Sequence, residues 1–549
     1  MRTRTTRLLA LPATFVAATL ALSGCSGAQD AQDSQATRTT LNYATGDAEP
    51  ECLDPHVGGN YPQALLGTNF AESLVSRDKD GKIIPWLAES WKESEDGKTW
   101  EFTLKDGVKF TDGTPLTWEA VKANVDHLLD PDTASSTGYL AFQQISDVTR
   151  GADDRVAVVH LKQTDSALLE SFAQPWNAIE SPTALKRSQE ENCASPVGTG
   201  PFVVDSWTKQ DRVVLKRNEN YTSAPADAAN QDGPAKLQEI VWRFIPDATT
   251  RYNALSSGEV DVIDNAQPNN ITAAGENSGL EDLNAPRPGS SNRIELNSGH
   301  APFNDKKVRE AFIRAANVDD GVQSLFMGTA QRSTSALGST EPLGKDMPDS
   351  YPHDVDAANR LLDEAGWTKG SDGIREKDGK KLTARFPVST NQSIPAEQSL
   401  FEQIQAGAKE VGIDVKLQPV DLQSWYSALG KDDYELVDAP YTKVGPDVLR
   451  ILYHSDSIKP APSGYFANHA QIDDEQLDTV LDKARASTDA DERAKLYEQA
   501  QQIIADAQVI LPLYDQQNHF LHSTGVKGLR ALPTVNTPTF LDVEPLPAS

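Results

Sequence analysis

Nucleophiles, metal ligands and acid–base groups are the residues with which to begin, and in this chain they do not assemble into a catalytic pattern. There is no Gly-x-Ser-x-Gly elbow, no His-Glu-x-x-His pair and no Gly-x-x-x-x-Gly-Lys-Ser/Thr phosphate cradle. The nine His are scattered. His519 and His522 stand three apart, while His454 and His469 are isolated, so no metal site is expected. Carboxylate pairs are plentiful only because the chain is acidic, and they point to no particular acid–base chemistry. Three Cys remain, at 25, 52 and 193. The chemistry expected is binding without turnover, and no cofactor is called for.

Each Cys has its own setting. Arg2, Arg4 and Arg7 form a basic start, and Leu8 to Leu22 is an apolar stretch too short for an ordinary membrane span. Leu22-Ser23-Gly24-Cys25 then resembles a bacterial lipobox, which implies cleavage before Cys25 and diacylation of its sulfur. Two acyl chains anchor stably where one is marginal. The bland alternative is an ordinary signal peptide with a chance Cys. If Cys25 is acylated, Cys52 and Cys193 are left as a pair in an oxidising compartment. A bridge between them is worth roughly 4–5 kcal/mol by the chain-entropy argument; the alternative is two buried free thiols.

The elements that must position any site come next. Residues 1–24 read as the signal peptide and 25–39 as a flexible tether of Ala, Gln, Asp, Ser and Thr. The precursor carries a formal charge of −29, and the removed segment has three Arg and no acids, so the mature chain lies near −32. Such a surface repels nucleic acid and favours solubility outside the cell. The mature body is too long for one core and is expected to form two to four domains.

Strand and helix patterns alternate throughout, which predicts an α/β fold. Leu41 to Ala44 reads as a short strand, and Trp100, Phe102 and Leu104 alternate with polar neighbours as a half-buried one. Helices are predicted after caps at Thr117, Asp305 and Asp356, over Phe401 to Glu410, and from Asp491. The apolar run Val509 to Leu513 reads as a buried strand.

Three stretches then carry a resemblance: Pro85-Trp86-Leu87-Ala88-Glu89-Ser90-Trp91, Asp96-Gly97-Lys98-Thr99-Trp100-Glu101-Phe102, and Gly107-Val108-Lys109-Phe110-Thr111-Asp112-Gly113-Thr114-Pro115-Leu116. Together they resemble the family 5 extracellular solute-binding proteins, the group of dipeptide-, oligopeptide- and nickel-binding lipoproteins. Gly198-Thr199-Gly200-Pro201-Phe202, Ser257-Gly258-Glu259-Val260-Asp261 and Pro302-Phe303-Asn304-Asp305 agree in order. The resemblance covers about residues 40 to 540 and implies a two-lobed periplasmic-binding-protein-like fold (type II, large cluster C form) with an extra inserted domain. Lobe 1 is expected from 40–58, 195–288 and 518–549, the inserted domain from 59–194, and lobe 2 from 289–517.

The same resemblance implies a cleft between the lobes. Cleft candidates are Tyr61, after the opening strand; Thr390 and Asn391, after Pro387-Val388; Trp425; Tyr441, Thr442 and Lys443, ahead of Pro446; and His300, near the first interlobe crossing. Peptide binders of the family carry an Asp where Thr442 stands, to hold the peptide's amino group. Dipeptide binders carry an Arg where Thr390 stands, for the carboxylate. Both anchors are replaced by hydroxyls, with Lys443 the one local substitute, so a free dipeptide is not expected. The site is expected to hold a small organic solute, peptide-like or otherwise amphipathic, by aromatic walls and neutral hydrogen bonds.

The implied function is that of an extracytoplasmic substrate-binding lipoprotein of an ABC importer. It would be a monomer, lipid-anchored on the outer face of the cytoplasmic membrane, passing its solute to permease subunits with their ATPases. A ligand sensor or chaperone-like use of the same fold is the alternative, and a secreted lipoprotein hydrolase the remote one.

Overall fold

The computed structural model describes residues 37–231, 233–390 and 392–548. The lipobox Cys25 and the cleft candidate Asn391 lie outside the described residues.

The central strand Thr40–Thr45 buries Leu41, Tyr43 and Ala44 completely. It pairs in parallel with Glu239–Phe244 on one side and Val262–Ile263 on the other. Around it grows a seven-stranded sheet in the order Leu280–Pro286, Gln517–Ser523, Val262–Ile263, Thr40–Thr45, Glu239–Phe244, Arg212–Arg217, Phe202–Thr208. Three distant parts of the chain thus share one sheet. Tyr43 stacks on Trp242 with ring centroids 3.8 Å apart, joining neighbouring strands on one face.

A separate antiparallel sheet is built in the order Ala88–Glu93, Thr99–Leu104, Val156–Leu161, Ile145–Arg150. Trp100, Phe102 and Leu104 point into its core, as period-two alternation requires. The helix Trp118–Leu129 covers the sheet with Val121, Val125 and Leu128. Beyond residue 289 a second core forms around the strands Leu436–Asp438, Asn292–Leu296 and Ile510–Tyr514. Beside them lies the parallel pair Thr383–Ser389 and Asp414–Val420, packed by the helix Pro395–Glu410. The architecture is a two-lobed α/β fold.

Several helix starts differ from expectation. Thr117 has the extended backbone of a cap, but its side chain makes no capping bond. Asp354, and not Asp356, caps Val355–Glu364 by accepting from Ala357 N at 2.8 Å. Asp489, and not Asp491, does the same for Ala490–Ala507. In both cases two Asp lie two residues apart, and only the earlier one has the backbone turned so that its carboxylate faces the third helical N–H. The helix predicted from Phe401 starts earlier, at Pro395, whose fixed φ suits a first helical position.

Two short segments connect the large sheet to the second core. The chain leaves Leu280–Pro286 and enters Asn292–Leu296 through 287–291; it returns from Ile510–Tyr514 to Gln517–Ser523 through 515–516. These crossings lie side by side, with Arg287 N donating to Gln516 O at 2.9 Å and Gln516 Nε2 to Ser290 O at 2.8 Å.

Candidate ligand-binding cleft

The crossings form the floor of an interlobe cleft that divides into two chambers. Arg287, Gln392 and Pro440 line both. The larger chamber is walled by Trp425, Tyr426, Tyr441 and Tyr465, with His469 behind them. It opens outward between the helix Leu422–Gly430 and the Cys52–Cys193 disulfide, whose Cα atoms are 4.4 Å apart.

Each wall has a local cause. Asn60 caps the helix Tyr61–Gly67 by accepting from Gln63 N at 3.0 Å, which aims Tyr61 at the cleft. The guanidinium carbon of Arg287 sits 3.6 Å from the Tyr61 ring centroid, a cation–π contact. Tyr441 and Thr442 follow the strand Leu436–Asp438 and are pinned to the first crossing by Ser290, whose N and Oγ donate to Tyr441 O at 3.0 and 3.1 Å. Gly289 permits that approach. Its φ is +104°, and a Cβ there would sit 2.6 Å from Lys443 N and from Tyr441 O.

The cleft collects buried ionisable groups. Burial pushes the Tyr426 and Tyr441 phenols up to about 12, so both remain hydrogen-bond donors at neutral pH. Burial, reinforced by Asp264, raises the Asp47 carboxyl to about 7, although Asn265 Nδ2 donates to it at 2.8 Å. Glu397 is likewise raised to about 7 by burial, against hydrogen bonds from Tyr514 and Asn292. Arg287 donates from Nε and Nη2 to Thr442 Oγ1 at 2.9 and 2.6 Å. The walls are therefore not neutral, as the sequence had suggested. A cation stands beside the place where peptide binders of the family keep a carboxylate.

Tyr61, Trp425, Tyr441 and Thr442 come together around the larger chamber. Trp425 also packs with Leu429, Tyr434 and Phe466, so it is core and wall at once. The remaining candidates lie elsewhere. Lys443 is turned inward beneath the cleft, its Nζ 3.8 Å from Asp447 and without a hydrogen-bond partner among the described residues. Thr390 is exposed and its Oγ1 donates to Val420 O, although its near neighbour Gln392 lines both chambers. His300 sits in a turn at the edge of the second lobe, with Asn297 Nδ2 at 3.0 Å and Asp432 at 3.7 Å.

Sequence reasoning missed Arg287, Tyr426, Tyr465 and His469. Arg287 carried a legible signal, standing between Pro286 and Pro288 just before Gly289, a stiff segment where an interlobe crossing was expected. The other three had none, because aromatic and His residues on helices and turns look the same whether they face a core or a cavity.

One grouping with metal-ligand character exists among the described residues, Asp54, His56 and His127, and it does not line the two chambers. His56 Nε2 faces Ala178 O at 2.8 Å and must carry the proton there, so Nδ1 accepts from His127 Nδ1 at 2.9 Å. Burial pulls the His56 pKa down to about 4, which suits a neutral imidazole held by hydrogen bonds. The arrangement explains itself without an ion.

Comparison with known proteins agrees with this geometry. Residues 82–461 match the bacterial extracellular solute-binding proteins, family 5. The chain is 29% identical over 489 residues to the glutathione-binding protein GsiB of Shigella flexneri, covering 88% of this chain and 90% of that protein. It is 30% identical over 475 residues to the nickel-binding periplasmic protein of Escherichia coli K12, covering 84% and 86%. Its fold superposes on NikA from Brucella suis, solved with Fe(III)-EDTA, with a TM-score of 0.76 and 25% identity over 92% of this chain and 99% of that one. These relatives are binding proteins and not enzymes. The chain belongs to the family 5 bacterial extracellular solute-binding proteins, the solute-capturing components of ABC importers.

Proposed function

We propose that this protein captures a small organic solute in the interlobe cleft, outside the cytoplasmic membrane, and hands it to permease subunits driven by ATPases. The observation that carries this reading is the pair of chambers on the interlobe crossings, walled by aromatic side chains and bearing a few convergent polar groups, the usual make-up of a small-molecule site. Lobe 1 comprises 40–58, 195–288 and 518–549, the inserted domain 59–194, and lobe 2 289–517; the shared seven-stranded sheet supports joining the first three segments. Closure of the lobes about 287–291 and 515–516 buries the solute, and opening releases it unchanged.

The relatives are named for glutathione and for nickel, which are unlike one another, so the solute must be read from this chain's own cleft. A bare metal ion suits it poorly, since no three-ligand cluster of the described residues lines the chambers. Cys25 is the attachment point of a diacyl anchor, a role supported by Leu22-Ser23-Gly24-Cys25 after an apolar leader. Cys25→Ala should release the protein from membranes, and retention would remove the anchor.

The binding function is tested with protein purified from its native host. Material carrying its co-purified solute should be more compact by small-angle scattering and melt higher than solute-stripped material. Recovery of a chemically altered solute, or no difference between the two preparations, refutes the reading.

A further inference from the structure

Four arginines in the interior show how this chain normally settles a guanidinium. Arg251 donates to the carbonyls of Ile245, Pro246, Asp264 and Asn265. Arg375 reaches Asp363, Asn359, and the carbonyls of Val411 and Trp367. Arg293 is wrapped by Glu295, Tyr453, Ser290 and Ser291. Arg450 is paired with Asp447 through two bonds. Each has a carboxylate or several carbonyls.

Arg287 has neither. Among the described residues its side chain donates only to Thr442 Oγ1, a single neutral oxygen, through Nε and Nη2. No carboxylate of the described residues lies within 4.0 Å of it. Asp47 and Glu397 are close enough to be felt electrostatically, but each is bonded to other partners. A guanidinium has five N–H donors, so the end-on edge, Nη1 with the second hydrogen of Nη2, is left without a hydrogen-bond partner among the described residues, on a side chain that lines both chambers. Tyr61 covers one face of the guanidinium and the backbone bond to Gln516 fixes its base, so the edge is held in place rather than free to find a partner. A largely desolvated cation with one neutral partner is poorly compensated, and an incoming carboxylate on that edge would complete it with two parallel bonds.

We propose that the solute is an organic carboxylate whose acid group docks end-on against Arg287, with its ring or alkyl body against Trp425, Tyr426, Tyr441 and Tyr465. Thr442 is then a positioning residue: its hydroxyl takes up the Nε edge and leaves the opposite edge for the ligand. The site is reversed in charge relative to the peptide-amino subsite that the resemblance implies at Thr442. This proposal rests on the cleft being the solute site.

The experiment uses the full-length protein purified from its native host as wild type, Arg287→Gln and Arg287→Lys. The bound solute is released by denaturation and weighed before and after methyl esterification, which adds one methylene per carboxylate. Wild type should yield a solute that gains at least one methylene. Its re-binding to stripped Arg287→Gln should weaken on the order of a hundredfold, with Arg287→Lys weakened less and both variants melting within a few degrees of stripped wild type. A solute that does not esterify, or equal affinity for wild type and Arg287→Gln, overturns the carboxylate proposal and leaves the cleft as the solute site. If no small molecule accompanies the wild type from any growth medium tried, the solute-site reading falls and this proposal with it.

Discussion

Replacing Glu295 by Gln should unfold the second lobe far more readily than removing Glu295 and Arg293 together. Both side chains are 0% exposed in the strand Asn292–Leu296, directly after the first crossing. Arg293 Nε donates to Glu295 Oε1 at 2.9 Å and to Tyr453 OH at 2.7 Å, and Nη1 donates to Ser290 Oγ at 2.5 Å. Burial alone would lift the Glu295 carboxyl, but the Arg293 guanidinium, joined by His469, outweighs it and holds the carboxyl below its ordinary range. Glu295→Gln keeps the shape and removes the charge, leaving a buried cation uncompensated. Breaking a buried pair in this way costs about 3–5 kcal/mol, whereas replacing both members by apolar side chains is often close to neutral. For a folding unit of this size that is a fall in melting temperature on the order of 10 °C for Glu295→Gln. Arg293→Met/Glu295→Leu should fall by less than half as much. Because Ser290 joins this network to Tyr441, the single variant should also lose retained solute. Scanning calorimetry of Arg293→Met, Glu295→Leu and the double, closed as a double-mutant cycle beside Glu295→Gln, measures the coupling. If the double is as unstable as the sum of the singles, the pair is not coupled and the argument from buried charge is refuted.

Cys52→Ala/Cys193→Ala should lose up to about 5 kcal/mol by the chain-entropy argument for a 141-residue separation; an unchanged urea midpoint, or two free thiols in the native protein, would contradict the bridge. His56 titrates at about 4 when folded and at about 6.5 when unfolded, so its contribution is intact above pH 6.5 and is lost as pH falls towards 4. By pH 5 that is about 2 kcal/mol, and His56→Gln should flatten the pH dependence of urea unfolding between pH 7.5 and 5 by that amount; an unaltered slope counts against it. Gly289→Ala places a methyl 2.6 Å from two backbone atoms of the 441–443 segment at a φ of +104°, so it should cost on the order of 1–3 kcal/mol and reduce solute retention. Wild-type stability in that variant would show that the crossing has slack.

Much of the architecture is legible in local pattern. The alternation of Trp100, Phe102 and Leu104 specifies a half-buried strand because side chains on a strand must alternate faces. The cap at Asp305 is legible because its short carboxylate can reach only its own helix start. Caps slip where two Asp compete, as at 354 and 356 or 489 and 491, since the choice depends on how the preceding chain arrives.

The cleft divides along the same line. Tyr61, Trp425, Tyr441 and Thr442 could be named from sequence because their segments resemble cleft segments of the family, and all four line the larger chamber. Lys443, next to two of them, could not be placed, since adjacent residues on an extended segment face opposite ways and only packing decides which faces the cavity. By itself the sequence determined the family and the fold, because the resemblance that implies them rests on motifs of contiguous residues. Only the tertiary structure decided the charge of the site. Arg287 becomes an anchor through a ring 226 residues before it in Tyr61, a hydroxyl 155 residues after it in Thr442, and the absence of any close carboxylate among the described residues, and such long-range distances are set by folding and not by spacing.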